Sequence, residues 1–303
     1  MKTNQNLRTA RPLHKRQIGW HLLMMLLVII ALVPVLFAFI SSFKSMQELY
    51  NGSLLPSQIT FDNYGEILSS LPIFKITLNT FIIAVTVTVF KVVTSTLAAY
   101  AFVFFDFKGK NVIYFFLICT IFIPFTVTMI PNYLTVSNLN LVDKIWGVVL
   151  PQLADASGIF LLRQTMKTVP RPLIEISHLD DISEMKILRN IIIPICRPAI
   201  ISTGIIFFIN SWNEYVWPTL ILRSRENYTL SLAMQVFTDS EGGVEYTITL
   251  AMAVITMLLP LTLYLIFQKH IMSTFASSGI KGKKLIIRGV SLWQTKKILY
   301  LKT

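Results

Sequence analysis

The sequence predicts an all-α fold: a polytopic membrane protein with six transmembrane helices and a short cytoplasmic helix between the fourth and the fifth. Three observations predict it. Of 303 residues, 54% are hydrophobic and 14% charged, whereas soluble domains carry about 25% charged residues; the mean hydropathy is +0.64. Several apolar runs reach the ~20 residues that a helix needs to cross the hydrocarbon core, where the backbone must satisfy its own hydrogen bonds. The basic residues, finally, collect in alternate loops.

Taken in order, residues 1–16 form a basic tail. The run 17–43 holds no Lys, Arg, Asp or Glu. It is too long for a signal-peptide core and lacks a small-x-small cleavage site, so it reads as a retained first span. The second span lies near 76–100, interrupted only by Lys91. The third covers about 111–134, where Pro124 and Pro131 predict kinks. The fourth, near 145–165, is weaker and carries Asp155; if it only re-enters the membrane, the count falls to five. The fifth runs from about 198 to 220 with Glu214 late in it, and the sixth from Tyr246 to Gln268. Asn51-Gly52, Pro56 and Pro72 predict a turn-rich external loop, and Gly242-Gly243 a further external turn. The membrane domain is expected to occupy 17–282, leaving 283–303 as a basic extension.

Charge tests this order. The loops assigned to the cytoplasm hold 21 Lys and Arg against 5 in the external ones, with Lys91 inside a span. The positive-inside rule then puts both termini in the cytoplasm. A net charge of +12 fits contact with membrane lipid. Because the basic clusters sit beside spans, no nucleic acid partner is expected. Two cysteines, Cys119 and Cys196, give no disulfide framework.

The polar stretch between the fourth and fifth spans reads RQTMKTVPRPLIEISHLDDISEMKILRNIIIPICRP. Leu173, Ile176, Leu179 and Ile182 recur at three-residue spacing, extended by Met185 and Ile187, while Glu175, Asp180, Asp181 and Glu184 point elsewhere. Pro172 suits a first helical turn because its missing N–H needs no partner there. The spacing predicts an amphipathic helix over about 172–186. Periodicity alone fits either a helix lying on the membrane surface or one that sets its apolar ridge into a groove of a soluble partner.

Here the chain resembles the permease subunits of bacterial ABC importers for carbohydrates and related solutes, in particular the smaller maltose-type permease. That family carries a cytoplasmic Glu-Ala-Ala motif followed shortly by Asp-Gly. Glu175, Ile176 and Ser177, then Asp180 and Asp181, stand at those positions: Glu175 and Asp180 match, both alanines and the glycine do not. GIFLLRQTMKTVPRPLIE upstream, ILRNIIIPICRPAI downstream and SWNEYVWP at 211–218 are further likenesses in order, and the resemblance spans Pro56 to Gly282. It implies a non-catalytic subunit in the bacterial cytoplasmic membrane. The implied partners are a second homologous permease, two cytoplasmic ATPase subunits and an extracellular or periplasmic solute-binding protein. The implied solute is a sugar or polyol. No cofactor is expected on this chain; the partner subunits use the ATP. The residues expected to couple to the ATPase are Glu175, Ile176, Ser177, Leu179, Asp180, Asp181 and Glu184.

Lys91, Asn210, Asn213, Glu214 and Trp217 are candidates for the solute route. A charge inside a span faces protein or water, asparagine amides and a carboxylate suit sugar hydroxyls, and an aromatic face can stack on a sugar ring. For Lys91, snorkelling or pairing between subunits is the alternative. The sequence lacks GxxxxGK[ST], HExxH and CxxC, so it offers no P-loop and no zinc or redox motif. His14, His21, His178 and His270 have no metal spacing. The rival reading is an ion-coupled secondary transporter using Lys91, Asp155 or Glu214. Such proteins often carry internal repeats, and none stands out here.

Overall fold

The structure, a computed structural model, describes residues 15–238 and 245–280. The basic tail before residue 15, the Gly242-Gly243 turn and the 283–303 extension lie outside them. The described residues are helical and contain no strand. Helix α1 covers Lys15–Ser41, α2 Met46–Tyr50, α3 Asp62–Ser70 and α4 Ile73–Phe104. Then follow α5 Lys110–Thr120, α6 Phe125–Asn138, α7 Ile145–Val149 with a 3-10 turn Leu150–Gln152, and α8 Ala156–Met166. Helix α9 covers Arg171–Leu179 and α10 Glu184–Ile187; a π turn, Leu188–Ile192, leads into α11, Ile193–Trp212. Last come α12 Val216–Ile221, α13 Leu230–Thr238 and α14 Tyr246–Ile280.

Among the described residues, four helices are long and apolar enough to cross a membrane: Ile18–Ser41, Ile73–Phe104, Glu184–Trp212 and Tyr246–Ile266. Two bent pairs raise the number to as many as six. Lys110–Thr120 and Phe125–Asn138 meet at 97°, and Ile145–Gln152 and Ala156–Met166 at 43°. The expected third span is therefore not one kinked rod. The chain leaves the helix after Thr120, and Pro124, extended at φ −60° and ψ 140°, starts α6 in a new direction. Pro131, by contrast, sits inside α6 without ending it. The fifth span also differs from expectation. Its helix starts before Pro198, running on from Glu184 through the π turn, and it stops at Trp212.

The described residues fall into two compact units, one within Met1–Ser69 and Phe237–Ile255, the other within Ser70–Val236 and Thr256–Thr303. In the first, the turn-rich loop is tied down by polar groups. Gly52 takes φ +70° at the predicted turn. Lys44 is fully buried, and its ammonium donates to the carbonyls of Ser53 at 2.6 Å and Leu54 at 3.0 Å. Asn63 donates to the carbonyls of Ser42 and Lys44. Phe43 packs between Phe61 and Tyr64.

In the second unit, α4, α8 and α11 pack together. One buried cluster holds Ala99, Tyr100, Leu162, Met166, Ile174, Ile187 and Cys196; another holds Ile83, Val87, Val148, Trp217, Ile221 and Leu232. Glycine lets the helices approach: a Cβ on Gly158 would lie 2.5 Å from both Phe207 Cζ and Ser95 Oγ.

Asp143 staples two distant loops in this unit. Its carboxylate accepts from the amides of Arg223 and Ser224 and from the Ser224 hydroxyl, and its carbonyl accepts from Asn227. Burial works against its charge, but the donors of Ser224, the Arg223 amide and Asn227 outweigh that and hold its carboxyl well below the usual range. Stabilisation from such a group is complete above the unfolded value of about 4 and is lost as pH falls through the depressed one. Thermal melts of the solubilised protein should therefore lose stability progressively below about pH 4. Asp143→Asn should lower the melting temperature at neutral pH and flatten that acid slope; an unchanged slope would mean that other carboxylates set it.

Candidate functional site

Two regions hold the predicted residues. The first is the segment after α8. Pro170 leads in, Pro172 occupies the first turn, and α9 runs to Leu179. The expected single helix over 172–186 is in fact two. Asp180 ends α9, and Asp181 takes φ +52°, a left-handed conformation that stops an α-helix. The second piece, α10, begins at Glu184.

The faces of α9 are distinct. Ile174 and Ser177 are buried, with Ile174 in the core cluster that includes Tyr100 and Met166. On the other side Leu173, Ile176 and Leu179 are 42%, 57% and 83% exposed, and Met185 beyond them 64%. Glu175, Asp180 and Asp181 are exposed at the same end. The apolar ridge is open, while the opposite face of the helix is packed.

Glu184 holds the two pieces to the transmembrane scaffold. One carboxylate oxygen accepts from the Tyr100 hydroxyl of α4 at 2.5 Å; the other pairs with His178 Nε2 of α9 at 2.9 Å. Sequence reasoning selected Glu184 but not Tyr100, which lies 84 residues away and reads as one more aromatic in an apolar run.

The geometry also accounts for the unusual residues in this segment. Ser177 is small enough to be buried, and its hydroxyl is absorbed by the Leu173 carbonyl at 2.7 Å. Asp181 adopts the backbone that glycine enters without strain, and aspartate tolerates it better than most residues do. Ile176 is exposed and enlarges the ridge. Asp181→Gly should therefore be tolerated. Asp181→Val should cost about 2 kcal/mol, because a β-branched side chain collides with the backbone there. Melting temperatures of the two variants would check this, and equal values would show that the turn does not depend on residue 181.

The second region lies among α4, α8 and α11. Lys91 Nζ is 3.3 Å from Asp155 Oδ2, with side chains 15% and 25% exposed, and sits 5.3 Å from the Phe207 ring. Asp155 occupies the break in the fourth apolar segment. It caps α8 by accepting from the amides of Ser157 and Gly158, and also from the Ser157 hydroxyl. Thr94, one turn along α4, donates to the Leu153 carbonyl beside it. Lys91 is thus paired within its own chain, where the expected pairing was between subunits.

SWNEYVWP forms the end of α11, a break at residues 213–215, and the start of α12. Asn210 and Asn213 are exposed. Glu214 accepts from the Trp217 amide at 3.3 Å. Trp212 is fully buried, donating to the Thr256 carbonyl, and Trp217 is buried against Phe125. Lys91 is held by Asp155, while Asn210, Asn213 and Glu214 lie at or next to the break between α11 and α12. Among the described residues no group of three or more His, Cys, Asp or Glu could hold a metal ion.

The sequence profile of the family described as "Binding-protein-dependent transport system inner membrane component" matches residues 91–275. The chain is 29% identical to the arabinooligosaccharides transport system permease protein AraQ of Bacillus subtilis, over 88% of this chain and 96% of that protein. It is 27% identical to the sn-glycerol-3-phosphate transport system permease protein UgpE of Rhizobium meliloti, over 82% and 92%. A chain in the crystal structure of a bacterial ABC transporter involved in the import of the acidic polysaccharide alginate has the same fold. It aligns with a TM-score of 0.73 at 24% identity, covering 86% of this chain and 99% of that one.

Proposed function

The chain belongs to the family of binding-protein-dependent transport system inner membrane components, and we propose that it is the permease subunit of an ATP-driven importer for a sugar or related polyol. It is non-catalytic. Its partners in this reading are a second permease, two cytoplasmic ATPases and an external solute-binding protein. Each bent helix pair counts as one span, giving six, with both termini and α9 at the cytoplasmic face of a bacterial cell membrane. The charge asymmetry of the loops supports that orientation.

The observation that carries the reading is the exposed Leu173–Ile176–Leu179 ridge on a helix anchored behind by its own core. Such a ridge fits a groove on an ATPase. Motion delivered to it has two ways into the membrane: through Glu184 to Tyr100 and α4, and through α10 and the π turn into α11. ATP state then biases two arrangements of the spans, which is what coupling requires. In this reading Asn210, Asn213 and Glu214 at the helix break offer polar contacts to solute, Trp217 holds that break in place, and Lys91 acts with Asp155. The names of the relatives suggest an oligosaccharide or a glycerol phosphate as the solute class; screening the cognate binding protein would name it.

The test is reconstitution of the whole complex. ATP-dependent uptake should require all partners, and a cysteine at Leu179 should crosslink to an ATPase subunit. Leu179→Asp should lower uptake about tenfold or more, since ~1.4 kcal/mol of lost contact suffices for that, while the two permeases still copurify. Uptake driven by an ion gradient without any ATPase would overturn the reading.

A further inference from the structure

A polar cavity of 210 Å³ opens beside the base of α9, lined by the end of α4, the start of α5 and the end of α8. Four of its lining residues are basic: Lys110, Arg163, Lys167 and Arg171. None is acidic. Asp106, the nearby carboxylate, is engaged by Lys110 at 3.3 Å with its side chain turned to solvent, and Lys110 also donates to the Phe105 carbonyl.

Arg163 is the unusual member. It is only 9% exposed, its guanidinium is stacked 3.7 Å from the Tyr114 ring, and its Nε is buried without a hydrogen-bond partner. Burying a cation costs several kcal/mol unless an anion or acceptors compensate, and among the described residues no carboxylate pairs with this one. A guanidinium set over an aromatic ring at the wall of a basic cavity suits a planar or tetrahedral oxyanion. Helix α5 adds to the field, since it begins at the cavity and Gly109 gives its first N–H groups no side-chain cap.

We propose that this cavity binds a phosphate group, and that the phosphate is the headgroup of an anionic phospholipid. Two features choose the lipid. The cavity lies where the span helices α4, α5 and α8 end or begin, at headgroup level in the proposed topology. From Lys110 and Asn111 at the cavity, α5 continues as an exposed apolar face through Val112, Ile113, Phe115 and Phe116, along which acyl chains can lie. Basic pockets between spans on the cytoplasmic side suit such lipids, because anionic headgroups are plentiful there. The proposal rests on that topology for the placement at headgroup level and for the choice of leaflet.

The test uses the purified complex, stripped of lipid and examined by native mass spectrometry. Equal amounts of phosphatidylglycerol and phosphatidylcholine are offered, with inorganic phosphate in a separate arm. Phosphatidylglycerol should be retained on this chain in preference to phosphatidylcholine. Its retention should fall about tenfold, the effect of losing ~1.4 kcal/mol, in Lys167→Gln/Arg171→Gln. Both positions are exposed, so folding should survive. Arg163→Met should lose the lipid too, if it folds. Equal retention of both lipids, or of phosphatidylglycerol by wild type and the double variant, would overturn the proposal. Binding of inorganic phosphate without phosphatidylglycerol would replace the lipid by a free anion. Because the readout is binding and not uptake, failure here leaves the transport assignment standing, and the reverse also holds.

Discussion

Asp155→Asn is expected to destabilise the protein by about 3 kcal/mol, because it removes the anion from a largely enclosed ion pair and strands Lys91 between helices. Asparagine keeps the α8 cap, so this variant isolates the charge. Asp155→Ala should cost roughly 1 kcal/mol more, the usual worth of a cap. Lys91→Met alone leaves an uncompensated carboxylate, but Asp155 retains donors from Ser157 and Gly158, so its cost should be smaller. The double variant Lys91→Met/Asp155→Asn should recover most of the loss. Thermal denaturation of the solubilised complex reads the cycle. Uptake measured on the double variant then separates two roles for Lys91. Recovery of stability with recovery of uptake makes the pair a structural tie among α4, α8 and α11; recovery of stability alone gives one of the two groups a part in transport.

Gly158→Val should be nearly as damaging. Even a Cβ at this position would come within 2.5 Å of Phe207 Cζ and Ser95 Oγ, a separation at which something must move. Overpacking of this kind costs about 1–3 kcal/mol in general, and valine adds two methyls to the clash. The ring of Phe207 also borders Lys91, so displacing it disturbs the ion pair as well. Gly158→Ala should show a smaller shift, and Phe207→Leu should partly rescue it by clearing the space. If Gly158→Val melts like the wild type, the close approach of α4, α8 and α11 is looser than this geometry requires.

The long spans were legible because their signal is composition, and composition survives without knowledge of neighbours. Ile73–Phe104 and Tyr246–Ile266 fall close to the apolar runs that announced them. The bends were less so. Pro124 predicted a kink, but a turn of 97° depends on what the two halves pack against, and that is not written in one segment. Periodicity found the α9 ridge of Leu173, Ile176 and Leu179, yet it ran the helix on through Asp181. An aspartate gives no local warning of positive φ, whereas the glycine of the related motif would have done so. The Lys91–Asp155 pair joins residues 64 positions apart, and either member alone looked like an isolated charge in an apolar run. Tyr100 and Arg163 were missed for the same reason: each takes its meaning from a partner supplied by another helix.

The interrupted α5–α6 pair carries a consequence for biogenesis. Between Thr120 and Phe125 the carbonyls of Ile121, Phe122 and Ile123 accept no hydrogen bond from the described residues, and Phe122 is 80% exposed. Bare peptide groups are not tolerated against lipid tails; another polypeptide or a water-lined passage must shield them. In the proposed six-span topology, a subunit synthesised without its companions would expose those peptide groups to lipid, the kind of flaw that membrane proteases detect. Its abundance in the cell should follow the supply of whatever covers that gap.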